Sequence, residues 1–138
     1  FDTFSKSLII IPINLGNSHW VCSAINLEKK RFEYYDSLGG PMERVYLTLR
    51  KYLEEEHLAK KKSPIDLSDW ENYWDEDVPQ QENSCDCGIF TCQFMETLSR
   101  DVEGFDFTQK EMPYLRNKMA LEIHEERLIE EEGWVDLE

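Results

Sequence analysis

Four side chains in this sequence together have the chemistry that a cysteine hydrolase needs: His19, Asp36, Gln81 and Cys87. In such an enzyme a thiolate attacks the substrate carbonyl, and a histidine takes the thiol proton and later protonates the leaving amine. A carboxylate orients the imidazole, and a neutral amide with the backbone N–H of the cysteine holds the developing oxyanion. The order of these groups along a chain varies between unrelated enzymes. The residue types therefore predict acyl transfer to a thiol.

Cys87 begins the most apolar stretch of the chain, residues 87–98, which is typical of a helix buried in the middle of a domain. Unpaired backbone N–H groups and the dipole at a helix start stabilise a thiolate. Gly88 leaves space for a substrate carbonyl to approach, and Gln81 lies six residues upstream. On this feature alone, a buried cysteine that merely opens a core helix remains an alternative interpretation.

His19 and Asp36 lie at the two ends of a predicted β-hairpin with strands at residues 20–27 and 31–35. Pairing of these strands brings the imidazole and the carboxylate toward the same end of the sheet. Nominal pairing about the turn places Asp36 opposite about Cys22, three residues short of His19. Taken by themselves, the two residues could also be a loop histidine and an aspartate that caps a turn.

The other three cysteines are expected to be reduced thiols without a catalytic role, with Cys22 and Cys92 in the core. Cys85 is expected to be a small buried side chain, and the alternative is a thiol that competes with Cys87 for oxidation. Cys85 and Cys87 could instead form half of a metal site with one of the other thiols and a histidine. This alternative is weak because structural zinc uses two ligand pairs, each two to four residues apart. A redox pair is weak as well, since the common dithiol spacing is Cys-x-x-Cys. We expect no metal and no cofactor.

The elements that must position these side chains follow an α+β pattern, with strands in the first third of the chain and helices after them. We expect a buried strand at 8–11 that Pro12 closes, then the hairpin, and then a helix that ends near Glu56. The inward face of this helix is predicted to be Met42, Val45, Tyr46, Leu49, Tyr52 and Leu53. One or two short strands are expected within residues 65–78.

The last helix is predicted to begin at a capping box formed by Thr108 and Glu111, with Pro113 in its first turn. It is expected to continue to Glu132 with four apolar residues facing inward, namely Leu115, Met119, Ile123 and Leu128. We find no internal domain boundary, so residues 1–138 are interpreted as one domain.

Composition excludes several function classes. The net charge of −14 makes binding to a phosphate backbone improbable for this segment. No apolar run approaches the roughly 20 residues that span a bilayer, so we expect no membrane segment. The chain is expected to be a monomer.

Three segments of the sequence resemble one enzyme family: Asn-Ser-His-Trp at 17–20, Tyr-Tyr-Asp-Ser-Leu-Gly-Gly at 34–40, and Pro-Gln-Gln-Glu-Asn-Ser-Cys-Asp-Cys-Gly at 79–88. They are similar to the ubiquitin-like-protein-specific cysteine proteases that process and remove SUMO, the sentrin-specific proteases. The resemblance continues through residues 107–109 and 112–116, and so it covers nearly the whole chain.

The resemblance implies a papain-like cysteine protease fold, a small mixed sheet packed against helices with the nucleophile at the start of a central helix. It implies that His19, Asp36 and Cys87 form the triad and that Gln81, not its neighbour Gln80, is the oxyanion glutamine. Trp20 would lie over the Gly-Gly end of the substrate, in a channel where only glycine fits.

The implied reaction is cleavage after the C-terminal Gly-Gly of SUMO, which matures the precursor and frees SUMO from target lysines. The implied partners are therefore SUMO precursor and SUMO-conjugated proteins. The same chemistry on another ubiquitin-like protein such as Nedd8, or binding without cleavage, remains an alternative. A nuclear location, with the cytoplasm as a second one, is also implied. Because the family's catalytic domain begins upstream of Phe1, this chain is expected to lack the domain's N-terminal part.

Overall fold

A four-stranded mixed sheet organises the protein in this computed structural model, which describes residues 2–129. The sheet has the order β1-β2-β3-β4, in which β1 and β3 each pair antiparallel with β2, and β4 pairs parallel with β3. The strands are β1 Leu8–Leu15, β2 His19–Asn26, β3 Arg31–Tyr35 and β4 Glu71–Trp74. The helices are α1 Glu43–Lys61, α2 Cys87–Ser99 and α3 Met112–Glu125, with 3₁₀ turns at Thr3–Ser5 and Gln109–Glu111. The α+β prediction is confirmed.

The two faces of the sheet form two apolar cores. Because successive residues of a strand point to opposite faces, the neighbours Tyr34 and Tyr35 belong to different cores. The α1 core contains Val21, Ile25, Phe32, Tyr34, Val45, Tyr46, Leu49, Leu53 and Leu67. The α2 core contains Cys22, Tyr35, Val78, Phe90, Phe94, Phe107, Met112 and Leu115. Strand β2 thus packs against the α1 core on one face and the α2 core on the other. This packing fixes the position of its first residue, His19, relative to α2.

Strand β1 is longer than expected. It continues through Pro12 to Leu15, and its residues 8–11 are half-buried instead of buried. Proline ends a strand in the middle of a sheet because it lacks an N–H donor, but an edge strand tolerates it. Since β1 is an edge of this sheet, the predicted stop at Pro12 is wrong.

Helix α1 also extends beyond the predicted end at Glu56 and finishes at Lys61. The carboxylate of Glu56 pairs with Lys60 at 2.5 Å, one helical turn later, and supports the extra turn. Lys62 then takes the left-handed conformation that ends the helix. Tyr52, predicted to face inward, is exposed.

The capping box at Thr108 and Glu111 is confirmed, but the last helix is shorter than predicted. Helix α3 ends at Glu125, and Glu126 adopts a left-handed conformation. Leu115 is buried and Met119 is half-buried, as expected, whereas Ile123 and Leu128 are 79% and 82% exposed. The final predicted helical residues, 130–132, lie outside the described part of the chain. No helix within residues 2–129 is long and apolar enough to cross a membrane.

Glu33 is a buried carboxylate on the α2 side of β3, with 1% of its surface exposed. Its Oε1 accepts from Arg31 Nε at 2.7 Å and from Asn26 Nδ2 at 2.9 Å, and its Oε2 accepts from the Tyr35 hydroxyl at 2.8 Å. Burial and the negative charge of Glu33 raise the pKa of Tyr35 well above its usual range. These three donors replace the water that the carboxylate loses on folding.

Glu33→Ala should lower the free energy of unfolding by about 3–5 kcal/mol, because it leaves buried donors and a partly buried guanidinium without their acceptor. Urea denaturation measures this loss. The control is Glu55→Ala, which removes an exposed carboxylate 3.8 Å from Lys51 and should cost less than about 0.5 kcal/mol. Equal losses in the two variants would contradict the structural role of Glu33.

Candidate active site

The turn between β1 and β2 places His19 at one end of the sheet. Leu15 pairs with His19, so the connection has three residues, Gly16, Asn17 and Ser18. Gly16 and Asn17 have φ angles of 60° and 58°, a conformation that glycine and asparagine adopt at little cost. His19 is therefore the first residue of β2, one residue before the predicted start of the strand at Trp20.

The imidazole of His19 is hydrogen-bonded to the carboxylate of Asp36, with 2.6 Å between Nε2 and Oδ1. Cys22 pairs with Tyr35, so Asp36 comes one residue nearer to His19 than the nominal hairpin register indicates. Because an ionised carboxylate can only accept, Nε2 has the hydrogen and Nδ1 of the neutral ring is left as an acceptor. The dyad is thus arranged to take a proton at Nδ1.

Both oxygens of the Asp36 carboxylate are held in place. Oδ1 also accepts from the backbone N–H of Leu38 at 2.9 Å, and Oδ2 accepts from the hydroxyl of Tyr34 at 2.9 Å. Burial and the charge of Asp36 raise the pKa of Tyr34 well above its usual range, so this hydroxyl remains a donor. The carboxylate is buried, and these contacts fix its plane toward His19.

Cys87 is the first residue of α2, which confirms the predicted helix start, and it is buried. Helix α2 lies next to the beginning of β2, since a β-carbon built on Gly88 would be 4.0 Å from Cδ1 of Trp20. The ring of Trp20 is 44% exposed. The residues that follow the histidine and the cysteine are therefore neighbours, which brings the predicted base and nucleophile to one place.

Gln81 is a buried amide that is tied to the loop after β3. Its backbone N–H donates to the carbonyl of Ser37 at 2.7 Å, and its Oε1 accepts from the Ser37 hydroxyl at 2.5 Å. Its Nε2 donates to the carbonyl of Asn83 at 2.5 Å. Gln80 is exposed instead, and its Nε2 donates to the carbonyls of Asp36 and Val78. This difference in burial agrees with the choice of Gln81 as the oxyanion residue, a role that stays a prediction.

Asp86, just before the thiol, is a buried residue of the site that the sequence reasoning did not single out. Its carboxylate accepts from Asn83 Nδ2 at 2.7 Å, from Gln109 Nε2 at 2.8 Å and from Arg116 Nη2 at 2.5 Å. It makes no side-chain cap with the first turn of α2, so it does not occupy the N–H groups beside Cys87. The resemblance had included residues 109 and 116 without a role. Gln109, in the 3₁₀ turn before α3, and Arg116, in α3, hold the Asp86 carboxylate.

The hydrogen bonds from Asn83, Gln109 and Arg116 lower the pKa of Asp86. A carboxylate whose pKa is lower in the folded state stabilises the fold above its unfolded-state pKa of about 4, and it loses this contribution as the pH falls through the folded value. We therefore expect Asp86→Asn to lower the free energy of unfolding at pH 7 and to have less effect as the pH falls through the lowered pKa of Asp86. Denaturation at a series of pH values measures this. A difference that does not change with pH would contradict the ionic role.

The remaining thiols differ in their surroundings. Cys22 is fully buried between the sheet and α2, and burial raises its pKa above the usual range. The predicted burial of Cys92 and Cys85 is wrong, since both are exposed. Cys92 lies on the outer side of α2, while Phe90 and Phe94 of the same helix fill the core. Among residues 2–129, no group of three or more His, Cys, Asp or Glu side chains is arranged to hold a metal ion.

Comparison with known proteins identifies close relatives. The chain is 41% identical to a sentrin-specific protease of Caenorhabditis elegans over 128 residues, which are 93% of this chain and 18% of that protein. It is 37% identical to human sentrin-specific protease 2 over 130 residues, which are 93% of this chain and 22% of that one. The chain thus spans about a fifth of the length of the curated relatives that it matches.

Solved structures share the fold. The C-terminal Ulp1 protease domain in complex with Smt3, the yeast orthologue of SUMO, superposes with a TM-score of 0.69 and 32% identity, over 85% of this chain and 52% of that one. The catalytic domain of the Ulp1-like SUMO protease of Chaetomium thermophilum has a TM-score of 0.79 at 23% identity, over 99% of this chain and 53% of that one. The second likeness supports the fold alone.

A model of the Ulp1 protease family, C-terminal catalytic domain, matches residues 1–129, the part of the chain that contains the His19–Asp36 pair, Gln81 and Cys87. The chain belongs to the Ulp1 protease family.

Proposed function

We propose that this protein is a thiol protease and isopeptidase that cleaves after the C-terminal Gly-Gly of SUMO. The observation that carries the proposal is the 2.6 Å hydrogen bond between His19 and Asp36. His19 begins β2, the strand that lies beside the start of the helix of Cys87. Family membership and relatives described as sentrin-specific proteases support the substrate class.

In the proposed mechanism, Nδ1 of His19 takes the proton of the Cys87 thiol, and the thiolate attacks the carbonyl carbon of the terminal glycine. The tetrahedral oxyanion accepts from the backbone N–H of Cys87 and from Nε2 of Gln81. The imidazolium then gives its proton to the leaving amine, and a thioester forms. Water hydrolyses this thioester with His19 as the base, which releases SUMO and the free thiol. Asp36 keeps the imidazole in the required tautomer throughout.

Trp20 gives the site its preference for glycine in this proposal. Its exposed indole lies beside Gly88, at the position where the substrate backbone reaches the nucleophile. A peptide that is clamped between an aromatic ring and a helix start has no space for side chains, so only glycine residues can pass. The Gly-Gly ending of ubiquitin-like proteins meets this requirement.

A panel of SUMO, Nedd8 and ubiquitin probes with a C-terminal electrophile tests the proposal. We expect the SUMO probe to form a covalent adduct, and peptide mass spectrometry should place it on Cys87. Preferred reaction with the Nedd8 or ubiquitin probe would overturn the substrate, while labelling at exposed Cys85 or Cys92 would overturn the site. Tight binding of SUMO without any adduct would instead support a binding module.

A further inference from the structure

We propose that Ser37 is a positioning residue for the oxyanion amide, an inference that rests on the proposed function. Ser37 directly follows Asp36, and 1% of its surface is exposed. Its hydroxyl is 2.5 Å from Oε1 of Gln81, and its carbonyl oxygen accepts from the Gln81 backbone N–H at 2.7 Å. One residue therefore holds both the main chain and the side chain of Gln81.

These contacts decide which end of the amide is available for a substrate. The Gln81 amide has one oxygen, which accepts, and one NH₂ group, which has two hydrogens to donate. The oxygen is taken by the Ser37 hydroxyl, and one hydrogen is taken by the carbonyl of Asn83 at 2.5 Å. The second hydrogen of Nε2 remains for the oxyanion. Ser37 thus fixes the amide with a donor left for the reaction.

Removal of the Ser37 hydroxyl would leave a buried amide oxygen without a donor. A buried polar atom that loses its hydrogen-bond partner is destabilised, so the side chain is expected to rotate toward another donor. Such a rotation turns Nε2 away from its position beside Asn83. The loss would appear in the transition state, where the oxyanion forms, and much less in substrate binding.

A double-mutant cycle on kcat, with a SUMO C-terminal amide as substrate, tests this role. Ser37→Ala should lower kcat about 10-fold, the size expected for a misplaced hydrogen bond, with KM within about twofold. Gln81→Ala should lower kcat about 10²-fold. The double variant should be no slower than Gln81→Ala, because Ser37 acts only through that amide. Losses that multiply in the double variant would overturn the proposal.

Two further comparisons separate positioning from folding. Ser37→Thr and Ser37→Val add nearly the same volume, but only threonine keeps the hydroxyl, so the threonine variant should be the faster one. Ser23→Ala removes another fully buried serine hydroxyl, which contacts the carbonyl of Ile11 at 3.2 Å, and should leave kcat unchanged. Equal rates for the Thr and Val variants would overturn the role of Ser37. An inactive wild-type protein would overturn the proposed function instead.

Discussion

Replacement of Cys87 by alanine is expected to abolish turnover of SUMO substrates, below about 10⁻⁵ of the wild-type kcat, because no other group at the site supplies the nucleophile. The protein should remain folded, since the side chain lies at the first turn of α2 and contributes little volume to the core. The measurements are cleavage of a SUMO precursor, the midpoint of urea unfolding, and the Kd for SUMO, which should change by less than about twofold.

Cys85→Ala is the matched control, because this thiol is two residues away and exposed. Its sulfur lies 3.5 Å from the amide oxygen of Asn83. We expect this variant to retain most of the activity. Loss of turnover in Cys85→Ala with retention in Cys87→Ala would mean that the nucleophile has been assigned to the wrong residue.

Asp36→Ala should have the second largest effect, a fall in kcat of about 10³- to 10⁴-fold. The alanine variant loses the 2.6 Å contact to His19, so either nitrogen of the neutral ring can bear the hydrogen and the ring can rotate. It also leaves the hydroxyl of Tyr34 without its acceptor. Steady-state kinetics should show the loss in kcat, with KM nearly unchanged.

Asp36→Asn is expected to be much milder, with a loss of about 10-fold. In the asparagine variant, the backbone N–H of Leu38 needs an acceptor, so the amide oxygen should occupy the position of Oδ1. This oxygen can still accept from Nε2 of His19. The amide nitrogen then faces the Tyr34 oxygen, which can accept as well as donate. The His19 imidazole therefore keeps its tautomer, and the variant loses only the negative charge of the carboxylate. Equal kcat values for the Ala and Asn variants would contradict this orientation by Leu38 and Tyr34.

The parts of the fold that local patterns predicted are those in which neighbouring residues settle the conformation. The helix start at Cys87, the hairpin and the Thr108 capping box all follow from short-range signals. The residues of the candidate site could also be predicted, from their chemical types and their spacing along the chain. Their catalytic roles remain predictions, while the contact between His19 and Asp36 is a feature of the structure.

The parts that could not be predicted depend on where the chain lies within the sheet and the cores. Pro12 could end a central strand, but β1 is an edge, and no local signal shows this. Cys92 has apolar neighbours along the chain, yet its side of α2 lies outside the core. Asp86 gains its role from Gln109 and Arg116, more than twenty residues later, so its burial becomes evident only when α3 is in place.

The two halves of the site differ in how far apart their residues are along the chain. His19 and Asp36 are 17 residues apart and meet through one hairpin, whereas the bond from Ser37 to Gln81 closes a loop of 44 residues. Loop closure costs more entropy for the longer loop, and long-range contacts slow folding. We therefore expect the acid–base pair to assemble before the helix of Cys87 docks on β2. A half-folded chain would have an imidazole without its thiol, so the four side chains of the candidate site would come together only in the last step of folding.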